Sequence, residues 1–266
     1  MNLHGDSRSG KTTCGIVSAS VWGGDPSGDG AIGAVRSWRS TSNSTEAVAA
    51  LHSDIGLVMD ELGQADARDV GACQYMLASG QGKSRLDRGV GLRAVLRFRV
   101  FFLSTGETTL AAKMAEAGIK MKAGQGVRLV DVPADDGAGT GAFTDLHGAE
   151  SAGAFAQELR EAAIRYYGTP MRAYIAYLIG RIEREPGFAD QLKDEIDRIA
   201  TAWLAPFGAH SGQARTVARR FALIALAGNL ATDAGITAGQ IRKPASVKRN
   251  LQHANASSPG WTSAAP

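Results

Sequence analysis

The first residues able to do chemistry lie in a short glycine-rich run near the start of the chain. Residues 5–12 read GDSRSGKT and match the phosphate-binding loop G-x-x-x-x-G-K-[ST] at every fixed position. The glycines permit a tight turn that points backbone N–H groups at a phosphate. The lysine then reaches the β- and γ-phosphates, and the threonine hydroxyl coordinates Mg²⁺. The predicted nucleotide-binding residues are Gly5, Asp6, Ser7, Arg8, Ser9, Gly10, Lys11, Thr12 and Thr13.

A pair of acids ends an apolar run farther along the chain. Residues 55–61 read IGLVMDE, which indicates a parallel strand buried on both faces. Asp60 is predicted to hold Mg²⁺, and Glu61 to orient and polarise the water that attacks the γ-phosphate. The alternative is an acid pair at a helix N-terminus. The position after a P-loop and a helical unit favours the catalytic interpretation, so ATP and Mg²⁺ are the predicted cofactors.

Two polar residues follow the next predicted strand, residues 95–103 (VLRFRVFFL). In P-loop ATPases with an additional strand, a polar residue at this place helps to position the attacking water. Ser104 and Thr105 are therefore candidate catalytic residues. A simple turn at the strand end explains them equally well.

Arg128 lies at the head of a predicted strand over residues 127–132. In ring-forming ATPases an arginine near this place enters the neighbouring subunit's nucleotide site and stabilises transition-state charge. The alternative is an arginine paired with Asp131 or another surface acid.

A second group of arginines lies in a helical segment close to the end of the chain. Arg215 and Arg219 are four residues apart and share one helix face, and Arg220 follows directly. Either Arg215 or Arg219 is predicted to serve as a lid arginine that contacts the γ-phosphate, and Arg220 is a candidate nucleotide-binding residue. A solvated basic face is the alternative.

The loop over residues 79–91 contains three cations, Lys83, Arg85 and Arg88. Phosphate contact requires only such cations and backbone N–H groups, so the loop is a candidate surface for single-stranded DNA. No aromatic residue is interleaved, so base stacking is not indicated. A solvated loop is the alternative.

Composition places the chain among ordinary globular proteins. It has 266 residues, a formal net charge of +3 and a hydrophobic content of 44%. Its two cysteines indicate reduced thiols in the cytoplasm and not a disulfide framework. No apolar run approaches about 18 residues, so no membrane span is predicted.

Helical and strand patterns alternate up to about residue 133 and are helical thereafter. This order predicts an α/β P-loop fold with a mainly parallel sheet flanked by helices and an all-helical C-terminal region. The predicted domains are a P-loop core over 1–148, a helical domain over 149–240 and a disordered tail over 241–266. Because only four residues precede the loop, the first strand is expected to be clipped.

Several motifs beyond the P-loop occur in a characteristic order. They include LHGDSRSGKTT, LVMDELGQAD, YMLASGQGKSR, LSTGETTLA, KAGQGVRLVDVPAD and VARRFALIALAGNLA. Over about residues 1–240 the chain resembles the bacterial and phage family called domain of unknown function 927. The resemblance implies a helicase-like P-loop ATPase of mobile elements, related to the AAA+ and superfamily-3 types. It also implies ATPase roles for Lys11, Thr12, Asp60 and Glu61, and it draws attention to Arg128 and Arg220.

Three hypotheses about function follow. The first is an ATPase motor in phage or plasmid DNA replication, with single-stranded DNA and a homo-oligomeric ring as its partners. The second is an ATP-binding regulatory protein that does not translocate. The third is an inactive gene remnant, to which the missing upstream region and Asn229, in place of the acid usual in the family, both point.

Overall fold

The computed structural model describes residues 1–23, 34–86, 91, 94–135, 137, 139–208, 210–238, 247–248 and 251–252. It divides the chain into two compact units, Met1–Gly168 and Thr169–Pro266. The first helix after the last strand thus lies in the first unit, beyond the boundary expected near residue 148. Most of the predicted tail, residues 241–266, lies outside the described residues.

Within the described residues, the first unit contains one five-stranded sheet in which every neighbouring pair is parallel. The strand order is β2-β3-β4-β1-β5. This order places the carboxyl ends of β1, β3 and β4 side by side, which is where open α/β sheets bind ligands. The strands are β1 (Asn2–His4), β2 (Val35–Ser37), β3 (Gly56–Asp60), β4 (Phe101–Gly106) and β5 (Asp131–Pro133).

Helices connect these strands, and their ends follow from capping side chains. The Oγ1 atoms of Thr41 and Thr109 and the Oγ of Ser151 each accept a backbone N–H three residues ahead. The second helix therefore begins at Ser42, directly after its N-cap Thr41. The helices of this unit are α1 (Lys11–Trp22), α2 (Ser42–Leu51), α3 (Val70–Ser79), α4 (Leu110–Ala115), α5 (Ala123–Gly126) and α6 (Ala152–Arg165).

The sheet is buried on both faces, as the apolar run of β3 predicts. Leu57 and Met59 pack into a core cluster with residues of α3 and α4, while Val58 packs on the opposite face with Ala19 of α1. Each such side chain stabilises the fold by about 1.5–3 kcal/mol when it is fully buried. The predicted α/β class with a mainly parallel sheet is confirmed.

Strand β4 begins later than the sequence predicts. Most of the predicted strand, residues 95–103, pairs elsewhere, because the N–H of Gly82 donates to the carbonyl of Leu96 (2.9 Å). The N–H of Phe98 likewise donates to the carbonyl of Gly80 (3.0 Å). These backbone groups are satisfied outside the sheet, so β4 contains only the end of the predicted segment and the polar residues after it.

The prediction of a strand over residues 127–132 is wrong for the first half of that segment. The N–H groups of Arg128 and Leu129 both donate to the carbonyl of Gln125, each at 3.0 Å, and close a helical turn after α5. The side chain of Gln125 in turn accepts from the N–H of Lys122 at 2.8 Å. Local hydrogen bonds therefore outcompete the β-branched pattern, and Arg128 does not lie on a strand.

In its described part, the second unit consists of helices without strands, and the predicted all-helical C-terminal region is confirmed. Phe188, Leu226 and Leu230 form its core, with apolar residues of α7 and α8 packed around them. None of the described helices is both long and apolar enough to cross a membrane. The helices are α7 (Thr169–Arg184), α8 (Phe188–Leu204) and α9 (Gly212–Asp233).

Candidate functional site

The phosphate-binding motif forms the loop between β1 and α1. Gly10 is the N-cap of α1 with φ 82°, and Gly5 has φ 151°, conformations that favour glycine. A Cβ atom at Gly10 would also lie 2.7 Å from the ring of Phe143. Both glycines are thus required by the backbone, and the loop ends where the free N–H groups of α1 begin, as an anion site requires.

The ammonium of Lys11 lies inside this loop. Its Nζ donates to the carbonyls of Gly5 (2.9 Å) and Asp6 (2.6 Å) and to the Oγ of Ser9 (3.1 Å). All three acceptors are neutral, and no carboxylate in the described part of the chain forms an ion pair with Lys11. Its charge is therefore free to be matched by a phosphate, which replaces neutral contacts with a charge-assisted one.

Three side chains meet where α1, β3 and β4 converge. The Thr12 hydroxyl donates to Oδ1 of Asp60 at 3.2 Å, and the Thr105 hydroxyl donates a short hydrogen bond to the same oxygen. Thr105 is 1% exposed and Asp60 is half-buried. The sequence predicted all three residues separately, and the fold brings them to one point.

Glu61 directly follows β3 and adopts an unusual backbone conformation. Its φ is 64°, in the left-handed region, and its N–H donates to the Thr105 hydroxyl at 3.4 Å. A 3₁₀ turn, Leu62–Gln64, follows and buries Leu62 completely. The Glu61 side chain is half-buried beside the Asp60 cluster. Non-glycine residues in this region are uncommon and gather at functional sites.

The oxygen atoms at this edge suit Mg²⁺. A carboxylate and a hydroxyl are hard ligands of the kind that magnesium prefers, and magnesium in nucleotide sites takes few protein ligands beside phosphate oxygens and water. Asp60 and Thr12 supply such a pair. Among the described residues, no group of three or more His, Cys, Asp or Glu side chains is arranged to hold another metal.

Ser104 is not brought to this point, which corrects the expectation that it serves together with Thr105. Its hydroxyl is fully buried, accepts from Nε1 of Trp38 (2.9 Å) and donates to Oδ1 of Asn2 (2.8 Å). The Asn2 amide in turn donates to Asp131 at 2.6 Å. Successive strand residues face opposite sides of a sheet, so Ser104 belongs to a polar chain across the sheet and Thr105 to the phosphate edge.

Two contacts beside the P-loop have no signal in the sequence. The N–H of Ala142 donates to the Ser9 carbonyl at 2.8 Å, in the segment that also places Phe143 against the loop. Arg160 of α6 donates from Nε to the Thr13 hydroxyl at 3.0 Å, across 147 residues of sequence. Pattern analysis cannot find such a pair, because neither residue belongs to a motif with the other.

Arg128 is bonded to residues of its own chain. Its Nη1 donates to the Gly124 carbonyl at 2.7 Å, and its guanidinium lies 4.4 Å from the ring centre of Tyr75. The alternative pairing with Asp131 does not occur, since that carboxylate accepts from Asn2 and from the N–H of Leu110. The role of Arg128 as a finger stays a prediction.

Two cations of the predicted basic loop, Lys83 and Arg85, are bonded to α2. Arg85 forms a bidentate ion pair with Glu46, whose side chain is 2% exposed, and also donates to Asn43. Lys83 donates to the Ser42 hydroxyl at 2.8 Å. Lys83 is exposed, as the solvated-loop alternative expects, whereas Arg85 is only partly exposed, and the DNA contact of both stays a prediction. Arg88 lies outside the described residues.

The arginines of α9 are exposed on the second unit. Arg219 pairs with Asp197 of α8 at 2.9 Å, an exposed ion pair of the kind expected for a basic face. Arg215 and Arg220 are also exposed. The predicted contact of Arg220 with a nucleotide stays a prediction.

Comparison with known families supports the resemblance inferred from the motifs of the first unit. Over residues 1–96 the chain matches the family called domain of unknown function (DUF927). The matched segment contains the P-loop, β3 and the Asp60–Glu61 pair, so the resemblance read from the motifs is confirmed there. No curated protein matches the chain.

A solved structure shares the fold over nearly the whole chain. It is described as "SCCmec type IV Cch - active helicase", and the two chains superpose with a TM-score of 0.65 at 20% sequence identity. The alignment covers 95% of this chain but 40% of that one, so this chain spans less than half of its neighbour's length. At this identity the likeness shows a common fold.

Proposed function

We propose that this protein is a P-loop ATPase that binds ATP with Mg²⁺ and hydrolyses it. The observation that carries the proposal is that the Thr12 and Thr105 hydroxyls both donate to Oδ1 of Asp60, beside the loop that contains Lys11. A glycine-rich turn that occurred by chance would not lie at the same edge of the sheet as the Asp60–Glu61 pair.

Binding uses the loop and the first turn of α1. The free N–H groups of that turn and the Lys11 ammonium receive the β- and γ-phosphates. The Thr12 hydroxyl and the Asp60 carboxylate, which lie within hydrogen-bond distance of each other, would hold the cation. Bound Mg²⁺ neutralises charge on the β- and γ-phosphate oxygens.

Hydrolysis depends on Glu61. In the proposed step its carboxylate accepts a proton from water while the water oxygen forms a bond to the γ-phosphorus and the bond to the β–γ bridging oxygen breaks. The Thr105 hydroxyl holds Asp60 and the N–H of Glu61, so it keeps the two carboxylates in register. The products are ADP and phosphate.

The helicase-like architecture extends this proposal to a motor. The solved neighbour is described as an active helicase, and its likeness covers 95% of this chain. We therefore assign the ATPase to DNA replication of a phage, plasmid or other mobile element, working on single-stranded DNA as a ring. Arg128 could serve a neighbouring subunit only after leaving Gly124 and Tyr75.

The hydrogen bonds and ion pair of the basic loop favour a second candidate function. Lys83 and Arg85, the described cations of that loop, are both bonded to α2, and Arg85 neutralises a buried carboxylate. An ATP-binding regulatory protein that does not translocate needs no such DNA contact. The two candidates share the nucleotide site and differ in their response to DNA.

Nucleotide binding and phosphate release, measured with and without single-stranded DNA, test both candidates. The motor predicts Mg²⁺-dependent ATP binding and a turnover that DNA stimulates, whereas the regulator predicts binding without stimulation. Asp60→Asn should remove most of the Mg²⁺-dependent turnover. Asp69→Asn is the matched control, because Asp69 is an exposed acid whose side chain makes no capping hydrogen bond. A wild-type protein that binds no ATP contradicts both candidates.

A further inference from the structure

The turn that follows Glu61 is held by a lysine from a different helix. Lys113 of α4 donates from Nζ to the Gly63 carbonyl at 2.7 Å and to Oε2 of Glu116 at 2.7 Å. Gly63 lies two residues after Glu61, inside the 3₁₀ turn. The charged hydrogen bond from Lys113 to Gly63 therefore contacts the turn that determines the orientation of Glu61.

Glu61 needs such support because its backbone is strained. A non-glycine residue with φ 64° persists only where its surroundings determine it. One support is the long hydrogen bond from its N–H to Thr105, at 3.4 Å. Another is the packing of Leu62 against Gly106, where an added Cβ would lie 3.0 Å from Leu62. The bond from Lys113 is the charged one among these contacts, and such bonds are shorter and stronger than neutral ones.

The environment of Lys113 shows which of its two bonds matters. The Lys113 side chain is 10% exposed, whereas Glu116 is 54% exposed. An exposed pair at i,i+3 contributes little to stability and does not require a buried ammonium. The contact of this largely buried side chain with the Gly63 carbonyl is therefore the one that we expect to matter.

We propose that Lys113 is a positioning residue for Glu61. It connects α4, which follows the strand that carries Thr105, to the turn that carries the general base. The inference rests on the proposed ATPase function. Among the described residues, the side chain of Lys113 bonds to Gly63 and Glu116 and not to the P-loop or Asp60, so its loss disturbs the general base and leaves the phosphate and metal contacts in place.

Lys113→Met, which keeps the aliphatic stem and removes the charge, tests the role. We expect kcat to fall about 10- to 100-fold, the effect of a displacement of about 1 Å in a catalytic group, while the ATP affinity changes less than about twofold. Glu116→Gln is the matched control, because it removes the charge of the other partner of Lys113 and leaves the Gly63 contact. It should hydrolyse ATP at close to the wild-type rate.

Hydrogen exchange gives a readout that does not depend on activity. In Lys113→Met the amides of Gln64 and Ala65, which close the 3₁₀ turn by bonding to the carbonyls of Glu61 and Leu62, should exchange faster. In Glu116→Gln they should not. Unchanged exchange in Lys113→Met, or a parallel loss of ATP affinity and turnover, overturns the positioning role. A wild-type protein without ATPase activity contradicts the proposed function instead, and the exchange result still decides the role of Lys113.

Discussion

The P-loop and the basic loop both contain cations that the sequence predicts to meet phosphate, but the fold treats them differently. Lys11 is bonded to two carbonyls and a hydroxyl, all neutral. Arg85 is bonded to the buried carboxylate of Glu46. A motif with fixed spacing specifies the surroundings of its cation, whereas a run of basic residues leaves the partner open.

This difference decides which cation is available to a ligand. A phosphate that takes Lys11 from neutral acceptors gains a charge-assisted bond. A phosphate that takes Arg85 leaves the Glu46 carboxylate buried without a partner, which is strongly unfavourable. The following predictions test this contrast, from the largest expected effect to the smallest.

Lys11→Ala should abolish nucleotide binding, weakening it by more than about 100-fold, because the charge that meets the β- and γ-phosphates is removed. Lys83→Ala is the matched control and should bind ATP as the wild type does, since Lys83 bonds to a hydroxyl of α2. Titration of a fluorescent ATP analogue measures both. Equal binding by Lys11→Ala and wild type would show that the P-loop does not bind the nucleotide.

Arg85→Met should lower the free energy of unfolding by about 2–3 kcal/mol, because it leaves the Glu46 carboxylate unpaired; the value is reduced from that of a fully buried pair since Arg85 is partly exposed. Arg99→Met breaks an ion pair with Asp54 in which both side chains are mostly exposed, and should cost less than about 1 kcal/mol. Urea unfolding compares them. Equal losses of unfolding free energy would show that the ion pair of Arg85 contributes no more to stability than an exposed ion pair.

Thr105→Val and Ser104→Ala separate the phosphate edge from the polar chain in the sheet. Thr105→Val should lower turnover about 10- to 100-fold, because Asp60 and the N–H of Glu61 lose their shared partner. Ser104→Ala should keep turnover and lose about 1–3 kcal/mol of stability, since Trp38 and Asn2 lose buried hydrogen bonds. The reverse pattern would assign the catalytic role to Ser104.

The smallest effect concerns Asp131, at the far end of that polar chain. Burial raises the pKa of its carboxyl above the ordinary value of 3.8, against the lowering effect of hydrogen bonds from Asn2 and the Leu110 N–H and of the positive charges of His4 and the N-terminus. The folded state therefore keeps the proton to higher pH, and the stability that the carboxyl contributes below 3.8 is lost as pH rises through the raised pKa.

Asp131→Asn removes this titration. The stability of wild type relative to the variant should accordingly fall as pH increases from about 4 to 7. Urea unfolding over that range measures the trend. A relative stability that rises with pH would show that the hydrogen bonds outweigh burial.

The sequence predicts well where spacing or periodicity determines structure. The P-loop follows from a fixed motif and β3 from an apolar run, and the helical segment that contains Arg215 and Arg219 occurs as α9. The assignment of Thr105 over Ser104 depends on the register in which β4 pairs with β1 and β3, because successive strand residues face opposite sides of the sheet. Neither the contact of Lys113 with Gly63 nor that of Arg160 with Thr13 could be predicted, because both join residues far apart in sequence.

The central claim is that the Asp60–Glu61 edge hydrolyses a nucleotide held by the P-loop. Single-turnover hydrolysis of ATP by wild type and by Glu61→Gln, with ATP binding measured on the same samples, tests it most directly. The account predicts that both proteins bind ATP with similar affinity and that Glu61→Gln hydrolyses it at least about 100-fold more slowly, since its amide cannot accept the proton of water. Hydrolysis by Glu61→Gln at the wild-type rate would contradict the account.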